Sequence, residues 1–164
     1  MSVAAADLRR IYGCFATGVT VVTCRVGPRT HGITVNSYTS LSLDPPLVLV
    51  CIDRNAIAFN MVPEAGVFAI NILNETQRWI CDYFAKRLAP DPNDEFAEIP
   101  HRLGACGAPL VDGAVATIEC RLVARYPGGD HEIFVGEVID AAILADDLPL
   151  LFHRGRFPRL APLE

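Results

Sequence analysis

The 164 residues lack most of the signals that would settle a chemistry at once. There is no G-x-S-x-G, no H-E-x-x-H, no Walker loop, and no G-x-G-x-x-G after a strand pattern. Nucleophile-elbow hydrolases, zincins, P-loop enzymes and Rossmann dehydrogenases are therefore set aside. Basic runs are also missing. Fourteen Lys and Arg stand against nineteen Asp and Glu, a net charge of −5, so the chain offers no electrostatic footprint for nucleic acid. The longest apolar run, around Pro45 to Ile52, is too short to span a bilayer, and MSVAAADLRR has neither the basic nor the apolar part of a signal peptide. These features lead us to expect a soluble, cytoplasmic protein that engages neither membrane nor nucleic acid. No C-x-x-C occurs and no Cys/His pair has zinc spacing, so no metal site is expected. Cys14, Cys24, Cys51, Cys81, Cys106 and Cys120 are read as buried, reduced thiols.

What is present is apolar and strand-like. Hydrophobic residues make up 51% of the chain, which excludes disorder, and the length suits one domain over residues 1–164. Leu8, Ile11, Tyr12 and Phe15 have the spacing of one buried helix face, with Thr17-Gly18 as the stop. Strands are expected at Val19–Val26, Gly32–Tyr38, Leu47–Asp53 and Val67–Leu73. A short helix limited by Pro63 falls at Ala56–Gly66, and Asn74 to Gln77 reads as a capping box ahead of another helix. Leu88 to Gly107 reads as a long surface loop. From Ala114 to Tyr126 the period is two, with Ile118, Cys120 and Leu122 on one face and Glu119, Arg121 and Arg125 on the other. Pro127 to Asp130 turns the chain, His131–Leu144 returns it, and Leu150–Phe157 adds a last strand. Six or seven strands with few helices predict a mainly β fold, a closed antiparallel barrel with peripheral helices.

Three segments are too polar or too rich in glycine for plain strand. Gly32 to Ser42 repeats hydroxyl and amide side chains in a stretch otherwise built to be buried. Such groups need partners, either an amphiphilic ligand or the local backbone. His131 opens a strand directly after a glycine turn, which suits a residue pointing into a cleft or a solvated surface histidine. Pro149 to Phe157 ends in aromatic and basic residues and reads as a rim.

Taken in order, FATGVTVVT (15–23), GITVNSYTSLSLDPPLVL (32–49), FAINIL (68–73), YFA (83–85), GDH with IFVGEV (129–131 and 133–138), PLLF (149–152) and GRF (155–157) resemble the flavin reductase-like family. That resemblance covers nearly the whole chain. It implies an FMN-binding split barrel of antiparallel Greek-key type. It implies an NAD(P)H-dependent reductase that passes a hydride from NADH or NADPH to FMN or FAD. Reduced flavin would then supply a separate flavin-dependent monooxygenase. The resemblance places Thr34, Val35, Asn36 and Ser37 along the isoalloxazine ring. Ser40, Leu41 and Ser42 with Cys51, Ile52 and Asp53 fall along the ribityl chain and phosphate. Arg54 and Asn55 are then candidate phosphate contacts, since Ala56 and Ala58 replace the family's hydroxyl side chains. Phe84-Ala85 would close over the cofactor, Phe152 belongs to the cofactor-binding set, and His131 would sit where the nicotinamide stacks. A homodimer is expected on the same ground. The alternatives are a flavoprotein that keeps FMN bound and reduces another acceptor, or a flavin- or haem-binding module without turnover.

Overall fold

The computed structural model describes residues 3–85 and 94–161. Helix α1 (Ala5–Tyr12) leads into a short strand β1 (Thr17–Gly18), so Thr17-Gly18 starts a strand and Gly13 ends the helix. Strands β2 (Thr20–Val26), β3 (Arg29–Val35), β4 (Thr39–Leu43) and β5 (Pro46–Asp53) follow. Helix α2 (Ala58–Ala65) precedes β6 (Val67–Ile72), and α3 (Arg78–Phe84) comes after it. The long hairpin β9 (Ala116–Gly128) and β10 (His131–Ile143) lies beyond a small ribbon of β7 (His101–Leu103) and β8 (Pro109–Val111). Strand β11 (Leu151–Phe152) is the last. Among the described residues no helix is long and apolar enough to cross a membrane.

The mainly β composition with peripheral helices holds, but the closed barrel does not. Seven strands form one open antiparallel sheet in the order β3-β2-β6-β9-β10-β5-β4, and its terminal strands β3 and β4 do not pair with each other. Alternation counts strands and assigns their faces, whereas closure depends on which strands end up at the edges. The stretch expected to supply the last barrel strand shrinks to two residues, which pair instead with β1 in a separate ribbon. The two sheet edges are nevertheless consecutive in the chain. Only Asn36-Ser37-Tyr38 separates the end of β3 from the start of β4.

The middle of the sheet is buried on both faces, which is why β2 is buried without interruption from Thr20 to Cys24. Val22 and Cys24 pack with Val50, Ile52, Phe68, Ile70 and Phe134 under α2. Val19 and Val21 point the other way, into Leu73, Ile80, Phe84, Phe96 and Leu150. The expected capping box forms only in part and one turn early: Asn74 Oδ1 accepts from Thr76 N at 2.8 Å and Gln77 Oε1 from Asn74 N at 3.1 Å, while Gln77, the residue that caps α3, makes no side-chain bond to the helix.

Other departures have local causes. Helix α1 has the expected apolar stripe but buries none of its residues, leaving Tyr12 and Phe15 68% and 76% exposed. Periodicity identifies an apolar face without naming what covers it. The expected loop from Leu88 is described only from Asp94 onward. There Phe96 and Ile99 are buried and β7 pairs with β8, so the segment is partly core. Glu119, expected on the polar face of β9, is only 3% exposed because the 104–107 turn folds over it. Ala105 N and Cys106 N donate to its carboxylate at 3.1 and 2.6 Å. A Cβ on Gly104 would collide with that carboxylate at 2.5 Å. Cys24, Cys81 and Cys120 are buried, Cys51 and Cys106 partly so, and Cys14 is exposed. Burial pushes the Cys24 and Cys120 thiols up to about 12.

Candidate active site

The polar residues that interrupt the strands meet where β3 and β5 end. Ser37 Oγ donates to the Cys51 carbonyl at 2.9 Å and accepts from Cys51 N at 3.0 Å. This two-point clamp ties the passage between the sheet edges to β5. Asn36 Nδ2 donates to Thr17 Oγ1 at 3.3 Å, and Thr17 stands opposite Phe152 in the small ribbon. Thr34 Oγ1 donates to the Cys81 carbonyl on α3 at 2.8 Å. These are three separate contacts, Thr34 to α3, Asn36 through Thr17 to the ribbon that holds Phe152, and Ser37 to Cys51. Thr17 belongs with them, and the sequence marked it only as a helix stop and part of FATGV.

His131 reaches the same surface from β10. A two-residue turn, Gly129-Asp130, with Gly129 at φ 76°, delivers it directly opposite Asp53 of β5. A positive φ there is open to glycine at little steric cost. The His131 side chain is 44% exposed, and its Nδ1 lies 2.8 Å from Asp130 Oδ1. A carboxylate only accepts, so Nδ1 carries the hydrogen of this bond. The hydrogen bond from His131, followed by its charge, holds the Asp130 carboxyl below the usual value.

The turn after β5 is largely satisfied from within. Asp53 Oδ1 accepts from Asn55 N at 2.7 Å and from Asn55 Nδ2 at 3.0 Å. Arg54 N donates to the Asp130 carbonyl at 3.1 Å and Ala56 N to the Asp53 carbonyl at 3.0 Å. Arg54 Nε donates to the His131 carbonyl at 3.4 Å, which places its guanidinium beside the histidine. Ala58 is 1% exposed, packed in the core, so a hydroxyl there would not face a ligand.

Other expected positions lie apart or face inward. The Ile52 side chain is fully buried and Val35 packs against the same core. Phe84 is buried against Phe96, ring centroids 5.0 Å apart, with its ring beneath Gly32. Only Ala85, exposed at the helix end, borders solvent from that pair. Ser40 and Ser42 stand opposite Val48 and Leu47, with Leu41 between them in a register shift. At about 3.3 Å per residue, Ser42 is roughly 13 Å down β5 from the level of Cys51.

A cleft of about 1040 Å³ opens beside Asn36 and Phe152, between α1 and the turn after β11. Among the described residues, no group of three His, Cys, Asp or Glu side chains could hold a metal. The donors present fit a flavin nucleotide. The Asn36 amide and the backbone at the strand ends suit ring carbonyls and nitrogens, the Thr34 and Ser37 hydroxyls being bonded to Cys81 and Cys51, and Arg54 suits a phosphate.

The chain belongs to the flavin reductase like domain family, whose model matches residues 12–161. It is 44% identical over 157 residues to the NADH-dependent FAD reductase of Streptomyces globisporus, covering 95% of this chain and 86% of that one. It is 35% identical over 154 residues to the reductase subunit of a flavin-dependent monooxygenase from Rhodococcus jostii (strain RHA1), covering 94% and 77%. Among solved structures it superposes with a TM-score of 0.90 and 41% identity on the flavin reductase component of a bacterial two-component tryptophan halogenase, covering 98% of this chain and all of that one.

Proposed function

We propose that this chain is an NAD(P)H-dependent flavin reductase, reducing FMN or FAD and releasing the product to a separate flavin-dependent monooxygenase. The observation that carries the reading is the placement of His131. It is half-exposed, held by Asp130 and set opposite Asp53, on the strand-end surface that also bears Asn36 and the Ser37–Cys51 clamp. When bound, a flavin supplies the two-electron acceptor for a nicotinamide hydride, and the two nucleotides carry that chemistry themselves. The protein needs to align them and to meet the negative charge that develops near the reduced ring. Asn36 and the polar backbone at 34–37 serve the ring, while Arg54 and Asn55 serve the phosphate. His131, its ring fixed by Asp130, orients the nicotinamide. Ser40, Leu41 and Ser42 flank the ribityl side, while Ile52 and Phe84 support the site from the core. No general base is required.

Mixing the purified protein with NADH or NADPH and FMN or FAD, and following loss of nicotinamide absorbance, tests the reading directly. Turnover that saturates in added flavin is the expected result. No turnover with any of the four pairs overturns it. The reading treats flavin as a diffusible substrate, because the backbone N–H groups of Arg54, Asn55 and Ala56 are already bonded to Asp130 and Asp53 rather than left for a phosphate. Protein that is colourless after dialysis but active with micromolar added flavin is expected. Protein that stays yellow and turns over without added flavin favours a bound-cofactor flavoprotein.

We further propose a homodimer of single-domain subunits. Val123, Ile139 and Ile143 of β9 and β10, and Leu41 and Leu43 of edge strand β4, leave large apolar side chains exposed. Exposed apolar surface of this kind marks protein interfaces.

A further inference from the structure

We propose that Glu132 sets how firmly the flavin phosphate is held, by competing with that phosphate for the guanidinium of Arg54. This role rests on the reductase reading in one respect, a flavin phosphate at Arg54. Arg54 meets the start of β10 at three consecutive residues. Its backbone N donates to the Asp130 carbonyl at 3.1 Å, its Nε donates to the His131 carbonyl at 3.4 Å, and its Nη2 lies 3.9 Å from Glu132 Oε2. Two of the three guanidinium nitrogens therefore face β10, and a phosphate has to share the group with a carboxylate.

That carboxylate is fixed from the other side. Glu132 stands opposite the buried Ile52 of β5, and its own side chain is 14% exposed. Its Oε1 lies 2.5 Å from Arg125 Nε. Arg125 is held in turn by two rings. Its guanidinium carbon is 5.1 Å from the Phe59 centroid and 5.0 Å from that of Phe134, and the two rings meet edge to face. A guanidinium lodged against two aromatic faces has little room to move. Arg125, Glu132 and Arg54 thus form a row in which two cations share one carboxylate, anchored at the Arg125 end.

The row gives each member a sign. A phosphate approaching Arg54 is attracted by its guanidinium and repelled by the carboxylate just behind it. At 3.9 Å the Arg54–Glu132 pair is longer than a hydrogen bond, so Glu132 does not lock Arg54 away; it lowers the positive potential that Arg54 offers. Because the backbone N–H groups of 54–56 are bonded to Asp130 and Asp53, the guanidinium carries much of the grip on a phosphate, and any loss of its potential is felt directly. Arg125 acts the opposite way: by pairing with Glu132 it limits the negative charge that reaches Arg54. A phosphate held loosely is what a flavin that enters and leaves at each turnover requires.

Fluorescence titration of the full chain with FMN, and with riboflavin, which lacks the phosphate, reads the effect without turnover. Glu132→Gln keeps an oxygen toward Arg125 and removes the charge. It is expected to tighten FMN about tenfold and to leave riboflavin unchanged. In an Arg54→Gln background the same substitution is expected to move neither ligand, since the two residues act on the phosphate as a unit. Arg125→Met keeps an unbranched stem against the two rings and turns the whole carboxylate charge toward Arg54. It is expected to weaken FMN with riboflavin unchanged, and it carries the test if Glu132→Gln does not fold. FMN and riboflavin shifting together would make the row purely structural and overturn the proposal. So would FMN that weakens in Glu132→Gln, an effect that persists without Arg54, or no effect at all. Any of these failures beside normal turnover of NADH and FMN leaves the reductase reading standing. The expected shifts without nicotinamide-dependent turnover would keep the role of Glu132 and reject that reading.

Discussion

His131 and Gly32 show two different ways a single position serves the site. The histidine is half-exposed and makes one side-chain hydrogen bond, to Asp130, so its removal leaves the core untouched. His131→Ala is expected to lower nicotinamide-dependent kcat/KM ten- to a hundredfold, about 1.4 to 2.7 kcal/mol, with flavin affinity and unfolding midpoint little changed. Steady-state kinetics beside a urea titration separate these; unchanged kinetics would leave the histidine a surface residue. Gly32 acts from beneath. A Cβ there would enter the Phe84 ring, which is itself packed against Phe96 and Tyr83. Gly32→Ala is expected to destabilise the fold by about 1–3 kcal/mol through overpacking, read as a lower urea midpoint with an unchanged slope. An unshifted midpoint would mean that Phe84 moves aside freely.

Among the elements, the 104–107 turn is secured through one carboxylate. Burial alone would raise the Glu119 carboxyl, but hydrogen bonds from Cys106 and Ala105 and the charge of Arg102 hold it below its ordinary value. A depressed carboxyl stabilises the fold above its unfolded pKa, and that contribution disappears as the pH falls through the lower, folded value. Glu119→Gln is expected to cost about 1.5–3 kcal/mol at neutral pH. The gap from the parent protein should close in acid below roughly pH 4. Urea titrations across that range check it; a gap independent of pH would show that shape, not charge, holds the turn. Glu119 also marks the limit of reading from sequence. Its alternation with Cys120 was legible and correct for the strand, but the covering turn is a long-range fact that no local period encodes. The same holds for α1, whose stripe is real and uncovered, and for the ladder, whose strands were legible while its failure to close was not. At the site, Asn36, Ser37 and His131 stood out as polar breaks in apolar text. Phe84 stood out by motif and proved to be core.

At the scale of the whole molecule, uncovered surface decides the expected assembly. Leu43 and Ile143 are 95% and 85% exposed, Leu43 on edge strand β4 and Ile143 on β10, with β5 between those strands. Large apolar side chains presented so openly, beside an edge strand with unpaired backbone groups, favour self-association. Sedimentation equilibrium at micromolar protein is expected to give twice the chain mass, and Leu43→Lys with Ile143→Lys to give monomers. A monomer mass for the parent protein with full activity would reject the dimer.

The three-residue passage from β3 to β4 imposes a condition of length. Four extended backbone steps reach roughly 14 Å, so Asn36-Ser37-Tyr38 has little slack between the two ends of the open ladder. One residue removed would drag the edges together, and one added would slide Ser37 away from Cys51 and turn Asn36 from Thr17. Surface connections elsewhere in a fold of this kind can drift in length over time, since doubling a flexible loop changes closure entropy by only about 0.6 kcal/mol. This one is gauged like a spacer between two plates, and its number of residues is what it must keep.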